Sequence, residues 1–139
     1  MKTIYLAVLA AGSLTTALAA QQQPAAAAAP SLSVAEAALA KAVADRVPQD
    51  TGSAFPADAG QLFFWTKVSG APAGGDTKIH HVWFHGDTQA ADIELRVGGS
   101  PWRVWSQKTI PAGWTGAWHV EVRDAAGAVL KRVDFTIGP

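Results

Sequence analysis

The chain has 139 residues, of which 49% are hydrophobic and 16% charged, and its 11 Lys and Arg residues balance 11 Asp and Glu residues. A neutral balance supplies no field of one sign that would steer the chain to nucleic acid or to anionic lipid, so neither is an expected partner. There is no cysteine, which excludes disulfide bonds and lipid attachment at a cysteine.

The first 19 residues have the pattern of a cleavable signal peptide. Lys2 supplies the positive start, an apolar stretch of about fifteen residues follows from Ile4 to Leu18, and Ala17-Leu18-Ala19 is a small-x-small cleavage site. The stretch is too short to span a bilayer of about 30 Å comfortably. We expect cleavage after Ala19 and a periplasmic or secreted protein. The alternative is that the same stretch stays attached as an N-terminal anchor.

The residues after the cleavage site divide into a tether and one domain. Residues 20–33 are rich in Ala, Pro and Gln and are predicted to form a flexible tether. Residues 34–139 are predicted to form a single β-sandwich domain. Between Val34 and Val47 the alanines favour a helix that ends before Pro48, although the apolar residues there follow no clean helical stripe.

From residue 60 onward, short segments rich in β-branched and aromatic residues alternate with turn signals, which is typical of a sandwich or barrel. A two-residue hairpin turn is expected at Gly86-Asp87. The six predicted strands cover residues 61–68, 78–85, 91–97, 102–110, 117–123 and 129–137.

Alternation along a strand predicts which side chains face the core, because neighbouring residues point to opposite faces of the sheet. The strands at 61–68 and 78–85 are bulky on both faces and are therefore expected in central positions. The predicted inward residues are Ile93, Leu95, Val97, Trp118, Val120, Val122, Val129, Val133, Phe135 and Ile137. The predicted outward residues are Asp92, Glu94, Arg96, His119, Glu121 and Arg123.

The segments SAFPADAGQLFFWTKVSG, IHHVWFHG, WRVWSQKTI, GAWHVEVRDAAGAVL and FTI occur here in that order. In this order the chain resembles the bacterial family known as domain of unknown function 2914, over about residues 34 to 138. The resemblance implies that residues 34–47 form a strand instead of a helix, and that the domain is an immunoglobulin-like sandwich of about seven antiparallel strands. The family has no established activity, so the resemblance assigns no catalytic residue. The matching positions are Phe55, Pro56, His81, Trp83, Arg103, Trp105, Ser106, Gly116 and Trp118.

The four histidines raise the question of a metal site. His81 and His85 are four residues apart on a strand, about 13 Å at ~3.3 Å per residue, so they cannot share an ion. The workable pair is His81 with His119 on neighbouring strands, with Glu121 as a possible third ligand, which leaves a metal-dependent hydrolase as a minor alternative. Ser106 lacks a nucleophile elbow. No catalytic residue, metal or cofactor is therefore expected.

The six tryptophans, all between residues 65 and 118, carry the main functional signal. Trp118 and Trp83 fit core positions. Two rows, Phe63-Trp65-Lys67 and Arg103-Trp105-Gln107, each share a face, and a ladder of stacked cations and indoles would explain them structurally. The functional alternative is a surface that binds an envelope protein or a glycan. The candidate contact residues are His81, Trp83, Arg103, Trp105, Ser106 and Trp114.

Overall fold

The computed structural model describes residues 32–72 and 76–139, and every regular element in these ranges is a β-strand. The predicted signal peptide and residues 20–31 of the predicted tether lie outside the described residues. None of the described residues belongs to a helix that is long and apolar enough to cross a membrane. The ten strands are β1 (Ser33–Ala40), β2 (Ala42–Ala44), β3 (Val47–Gln49), β4 (Ala54–Phe55), β5 (Gln61–Ser69), β6 (Thr77–His85), β7 (Thr88–Val97), β8 (Trp102–Thr109), β9 (Gly116–Asp124) and β10 (Val129–Ile137).

The strands form two main sheets and one small hairpin. One sheet has the order β1-β5-β8, the other has the order β4-β10-β9-β6-β7, and β2 pairs with β3. All pairings are antiparallel except the short contact of β4 with β10. The predicted immunoglobulin-like sandwich class is confirmed, and β5 and β6 have strand neighbours on both sides, as their bulky faces indicated.

The first segment of the domain is a strand, as the family resemblance implied. The helix that the alanine content favoured is not formed. Strand β1 pairs with β5 from Ser33 opposite Ser69 to Ala40 opposite Phe63. Its last two residues, Leu39 and Ala40, are fully buried. Helix propensities differ by only a few tenths of a kcal/mol per residue, so pairing and burial against a neighbouring strand override them.

Alternation located the core correctly except at the start of β10. The inward residues of β7 and β9 are buried or partly buried, and Trp118, Val120 and Val122 are at most 1% exposed. Val129, predicted inward, is 53% exposed. A register shift between Val129 and Lys131 moves Leu130 onto the core in its place. A bulge of this kind adds one residue to the strand and reverses the alternation before it.

The hairpin turn between β6 and β7 is confirmed at Gly86-Asp87. Gly86 has a φ of 59°, a backbone conformation that side chains disfavour and that glycine adopts freely. The turn sets β6 between β7 and β9. The His81 strand is therefore an interior strand of the five-stranded sheet, next to its β7 edge, and it faces the three-stranded sheet across the core.

Candidate functional site

A chain of four hydrogen bonds crosses the core between the two sheets. Trp83 Nε1 lies 3.1 Å from Ser106 Oγ, Ser106 Oγ lies 2.8 Å from His81 Nδ1, and His81 Nε2 lies 3.1 Å from Thr66 Oγ1. Thr66 Oγ1 in turn lies 3.2 Å from the carbonyl oxygen of Val104. Strand β6 of one sheet is thereby joined to β5 and β8 of the other.

The two ends of this chain fix the direction of three of its four bonds. An indole N–H only donates and a carbonyl oxygen only accepts, so Ser106 accepts from Trp83 and Thr66 donates to Val104. Because the Thr66 proton is used on Val104, His81 donates from Nε2 to Thr66. Burial lowers the pKa of His81 to about 3, so the ring is neutral near pH 7. A neutral ring protonated on Nε2 leaves Nδ1 as an acceptor, so Ser106 donates to it.

These contacts correct the prediction that His81, Trp83 and Ser106 belong to a contact surface. His81 and Trp83 are 0% exposed and Ser106 is 4% exposed, so none of them is available to a partner. The expectation that Trp83 is the central core tryptophan holds, since its ring meets Phe64 and Phe135 edge to face at 6.3 and 6.1 Å. The Ser106–His81 pair is equally closed to a substrate.

The metal alternative at His81 and His119 is wrong because the two side chains lie on opposite faces of the same sheet. His81 shares the inward face with Ile79 and Trp83, whereas His119 stacks on the outward Phe84 ring with centroids 4.5 Å apart. Among the described residues, no group of three or more His, Cys, Asp or Glu side chains is placed to hold a metal ion.

His119 also differs from its predicted exposure to water. It is only 8% exposed, because the Phe84 ring covers it in a nearly parallel stack. Desolvation, followed by the nearby Arg132 charge, lowers the pKa of His119. The guanidinium of Arg123 also lies over the Phe84 ring, 5.7 Å from its centre.

Trp114 is exposed as predicted, but it is part of a separate aromatic cluster. Its ring, 39% exposed, stacks on His85 at 5.3 Å, and its carbonyl oxygen accepts a hydrogen bond from Trp118 Nε1. It follows the Thr109 end of β8, whereas Arg103 lies at the opposite end of that strand. The structure therefore does not bring Trp114 together with the other candidate residues.

The two predicted rows, Phe63-Trp65-Lys67 and Arg103-Trp105-Gln107, lie side by side on the outer face of the three-stranded sheet. The register sets Trp65 opposite Trp105 and Lys67 opposite Arg103. Indole therefore neighbours indole and cation neighbours cation, which corrects the expected ladder of stacked cations and indoles. The one cation over an aromatic ring among the described residues is Arg123, which lies on the other sheet.

The β2–β3 hairpin folds over one end of this face and carries a third cation to it. Trp65 Nε1 donates a 3.0 Å hydrogen bond to the carbonyl oxygen of Arg46, and the indole is only 5% exposed. Asp45 and Arg46 form the two-residue turn with φ values of 51° and 62°. Two positive φ angles in a two-residue loop are the pattern of a type I′ turn.

Between the hairpin and β8 lies a groove of about 490 Å³, which we call the basic groove. Lys67 is 3.8 Å from Glu36, whose side chain is 61% exposed. Within residues 32–72 and 76–139, neither Arg46 nor Arg103 takes part in an ion pair. The groove is lined by Arg46, Lys67, Pro101, Trp102, Arg103 and Trp105.

A second hollow, of about 310 Å³, lies beside the groove and shares Trp102, Arg103 and Trp105 with it, with Arg96 and Val104 as its other lining residues. The Trp102 ring packs over the preceding loop. A Cβ added to Gly98 would lie 3.1 Å from that ring, so a larger residue there would require the ring to move by a few tenths of an ångström.

Sequence reasoning found Arg103 and Trp105 but missed Arg46, Trp102 and Pro101. The turn has Asp45, a usual first residue of a type I′ turn, but Arg46 stands where Gly is usual, so the sequence signal for a hairpin was weak. Trp102 was placed on the face opposite Trp105, which is correct within the strand. It reaches the groove because β8 is the last strand of its sheet.

Comparison with known proteins agrees with this fold. Residues 76–137 match the family described as protein of unknown function (DUF2914). The structure is similar to the crystal structure of an immunoglobulin-like protein from Pseudomonas aeruginosa, with a TM-score of 0.54 and 15% identity, over 79% of this chain and 98% of that chain. No protein with a curated description is significantly similar to the chain. The family match begins at residue 76, after the first part of the resemblance seen in the sequence. The two comparisons together confirm that the chain resembles the DUF2914 family and that its fold is an immunoglobulin-like sandwich.

Proposed function

We propose that this protein is a non-catalytic binding module of the bacterial cell envelope, and that its basic groove binds an acidic segment of a protein partner. The observation that carries the proposal is the set of three cations, Arg46, Lys67 and Arg103, which converge on one groove beside Trp105. The overall net charge of the chain is zero, so this concentration of positive charge is local.

The cations are arranged at a cost to the fold. Lys67 lies directly opposite Arg103 on the paired strands β5 and β8, and like charges in that position destabilise a sheet. Among the described residues, Glu36, opposite Lys67 on the other side, is the one carboxylate that forms an ion pair with these cations, and it is too exposed to offset the repulsion strongly. A carboxylate from outside would relieve this repulsion and accept the charge-assisted hydrogen bonds that guanidinium groups favour.

The backbone at Arg46 supports the same conclusion. Arginine in a left-handed conformation costs about 1–2 kcal/mol, whereas glycine in the same turn would cost almost nothing. Strained residues of this kind tend to lie at functional sites. The guanidinium of Arg46, which lines the groove, is the feature that glycine would lack.

The tryptophans on the surface of the described residues favour an acidic protein segment over a neutral glycan as the ligand. Sugar rings need exposed flat indoles, yet Trp65 is covered by the hairpin and Trp114 lies at the other end of the sandwich. Trp105 and Trp102 provide a limited apolar wall, which is enough for the aliphatic part of a peptide. An acidic glycan keeps the charge complementarity and is therefore the alternative ligand to include in any test.

Binding of a defined polyanion tests the function directly. We expect fluorescein-labelled poly-L-glutamate to bind the purified chain, with fluorescence anisotropy as the readout. Arg103→Ala should weaken binding about tenfold or more, because a hydrogen bond to a charged group contributes about 1.5–3 kcal/mol. Lys131→Ala, the same loss of charge on the exposed part of β10, is the matched control and should change little. Equal loss in both variants, or no binding at all, would contradict the proposal.

The envelope location is a separate part of the proposal, and it rests on the sequence pattern at residues 1–19. Expression of the full chain in a bacterial host, followed by fractionation and intact mass measurement, tests it. We expect the protein in the periplasm or medium with Ala20 as its first residue. An uncleaved chain in the cytoplasm would contradict the location without affecting the groove.

A further inference from the structure

The basic groove borders the free edge of β8. This strand pairs with β5 on one side, and no other described strand pairs with its second side. The basic groove and the second hollow share Trp102, Arg103 and Trp105, so the two depressions meet along the first half of β8.

Edge strands are normally protected against pairing with another chain by bulges, prolines or inward-pointing lysines. Strand β8 has an unbroken register with β5 from Trp102 opposite Val68 to Thr109 opposite Gln61, with no bulge and no proline within the strand. The other edge of the same sheet, β1, is interrupted by a bulge between Val34 and Glu36.

An inward-pointing lysine of this kind is present only at the Thr109 end of β8. Lys108 is on the inward-facing row, opposite Leu62, and its Nζ atom donates to the Thr109 carbonyl oxygen. The part of the edge from Trp102 to Gln107 has no lysine and no proline, and its one charged side chain, Arg103, disfavours chains other than acidic ones. It is therefore the part that remains open to an added strand.

We propose that the acidic partner segment binds as an extended strand added to the free edge of β8, over Trp102 to Gln107. This inference rests on the proposed function and names the conformation and pattern of its ligand. Side chains on a strand alternate between two faces. Acidic side chains at every second position would lie beside Arg103, with Lys67 one strand further away on β5, and small apolar side chains between them would lie against Trp102 and Val104.

This mode divides affinity and selectivity between backbone and side chains. Main-chain hydrogen bonds to the strand edge supply sequence-independent affinity, and the side chains along β8 select alternate side chains of the ligand. A second copy of the chain is a poorer occupant of the same edge, because β8 against β8 would bring two Arg103 rows together. A glycan has no peptide backbone with which to continue the sheet.

The test uses the full chain and a fluorescein-labelled ten-residue peptide that alternates Glu with Val. We expect anisotropy to show binding of this peptide and none of the peptide in which Lys replaces Glu. Two further peptides carry backbone N-methyl groups, one on the Glu residues and one on the Val residues. An added strand turns alternate amides toward β8, so one methylated peptide should bind at least about tenfold more weakly while the other stays close to the parent.

The outcomes separate the two proposals. If both methylated peptides bind like the parent and Arg103→Ala still abolishes binding, strand addition is overturned and the proposed function stands. If neither the Glu-Val peptide nor poly-L-glutamate binds, the proposed function fails as well. If polygalacturonate binds through Arg103 and no peptide does, the ligand is an acidic glycan and the inference is overturned.

Hydrogen exchange provides an independent measurement on the protein itself. We expect the Glu-Val peptide to slow amide exchange within β8 at residues 102–107, without a comparable change in the β7 edge at Asp92 and Glu94. Protection confined to the β2–β3 hairpin, with none in β8, would place the peptide in the basic groove alone and would overturn strand addition.

Discussion

His81 is an ionisable group in the middle of a hydrophobic core, and it is accommodated because each ring nitrogen has a partner. An unpaired polar group in such a place costs several kcal/mol, whereas a fully satisfied network adds specificity to the packing. Among the described residues, no buried side-chain nitrogen or oxygen lacks a hydrogen-bond partner. The chain of hydrogen bonds from the Trp83 side chain to the Val104 carbonyl oxygen thus aligns the two sheets at one point.

We expect the His81 ring to make the fold less stable as the pH falls below neutrality. Burial holds its folded pKa at about 3, against an ordinary value of 6.5. Above pH 6.5 the ring is neutral in both states, and its contribution to stability is complete. Between pH 6.5 and about 3 the unfolded chain binds one more proton, so the free energy of unfolding falls by about 1.4 kcal/mol per pH unit. Urea denaturation at pH 7.5, 6 and 5 measures this slope.

Two variants isolate the His81 contribution. His81→Asn removes the titrating ring and should flatten the slope, while His80→Asn, on the outward face of the same strand, should keep it. If His81→Asn does not fold, the ring resonances of the wild-type protein serve instead, and His81 should show no titration in NMR spectra between pH 7.5 and 5. An identical slope in both variants, or a ring that titrates near pH 6.5, would contradict the assignment.

Ser106 is the central member of the same network, and its removal leaves two buried partners unsatisfied. We expect Ser106→Ala to lower the free energy of unfolding by about 1–3 kcal/mol, because Trp83 Nε1 loses its acceptor and His81 Nδ1 loses its donor. Gln107→Ala, at the exposed neighbouring position on β8, is the matched control and should change stability by about 0.5 kcal/mol or less. Chemical denaturation at pH 7.5 compares the two variants.

At the scale of the element, the β2–β3 hairpin has a turn conformation that favours glycine at residue 46, whereas the proposed binding site needs the arginine side chain there. Its turn contains no glycine, although both turn residues have positive φ angles. The hairpin is fixed to the sheet by the hydrogen bond from Trp65 Nε1 to the Arg46 carbonyl oxygen, which depends on the backbone and not on the Arg46 side chain. Backbone strain and charge at residue 46 can therefore be changed separately.

Arg46→Gly should stabilise the fold and weaken the binding of an acidic ligand. Relief of the left-handed strain is expected to raise the free energy of unfolding, by up to about 1 kcal/mol once the greater freedom of glycine in the unfolded chain is counted. Loss of the guanidinium should weaken poly-L-glutamate binding several-fold. Arg46→Asn, which also tolerates the turn, is the companion variant. A variant that binds as well as the wild type would remove Arg46 from the proposed site.

Element prediction succeeded where the pattern was strong and failed where it was not. The six strands from residue 61 onward are present nearly as predicted, because their apolar alternation and glycine-containing turns agree. Strand β1 follows from the family resemblance and not from its own propensities. The β2–β3 hairpin was missed entirely, because its strands are three residues long and its turn has Arg46 where a glycine is usual.

At the scale of the whole molecule, a chain of zero net charge separates its charges by region. The exposed acids Asp92 and Glu94 lie on β7, paired with His80 and Lys78 at 2.7 Å. The cations of the basic groove lie on β5, on β8 and in the β2–β3 hairpin. Overall charge therefore argues against long-range steering, but it gave no information about a local site.

Binding of an acidic ligand to the groove should depend strongly on salt. The Debye length is about 10 Å at 0.1 M and about 3 Å at 1 M ionic strength, so the attraction of exposed cations is largely screened at high salt. We expect poly-L-glutamate to bind more weakly at each step from 0.05 to 0.5 M NaCl, and the Arg103→Ala variant to show a shallower dependence. Affinity that does not change with salt would indicate an apolar contact, for instance at Trp105, and would contradict a charge-based site.

The sequence by itself determined the sandwich class, the main strands and which face of each points inward, because burial imposes a period of two on every strand with one solvated side. It also placed Lys67 and Arg103 in rows with their indoles. Only the tertiary structure decided which strands are neighbours. That arrangement sets cation opposite cation and buries Trp83 and His81. It also folds the Arg46 hairpin over Trp65 and leaves the edge of β8 open beside the groove. The sequence could not show these four features because each depends on contacts between residues far apart in the chain.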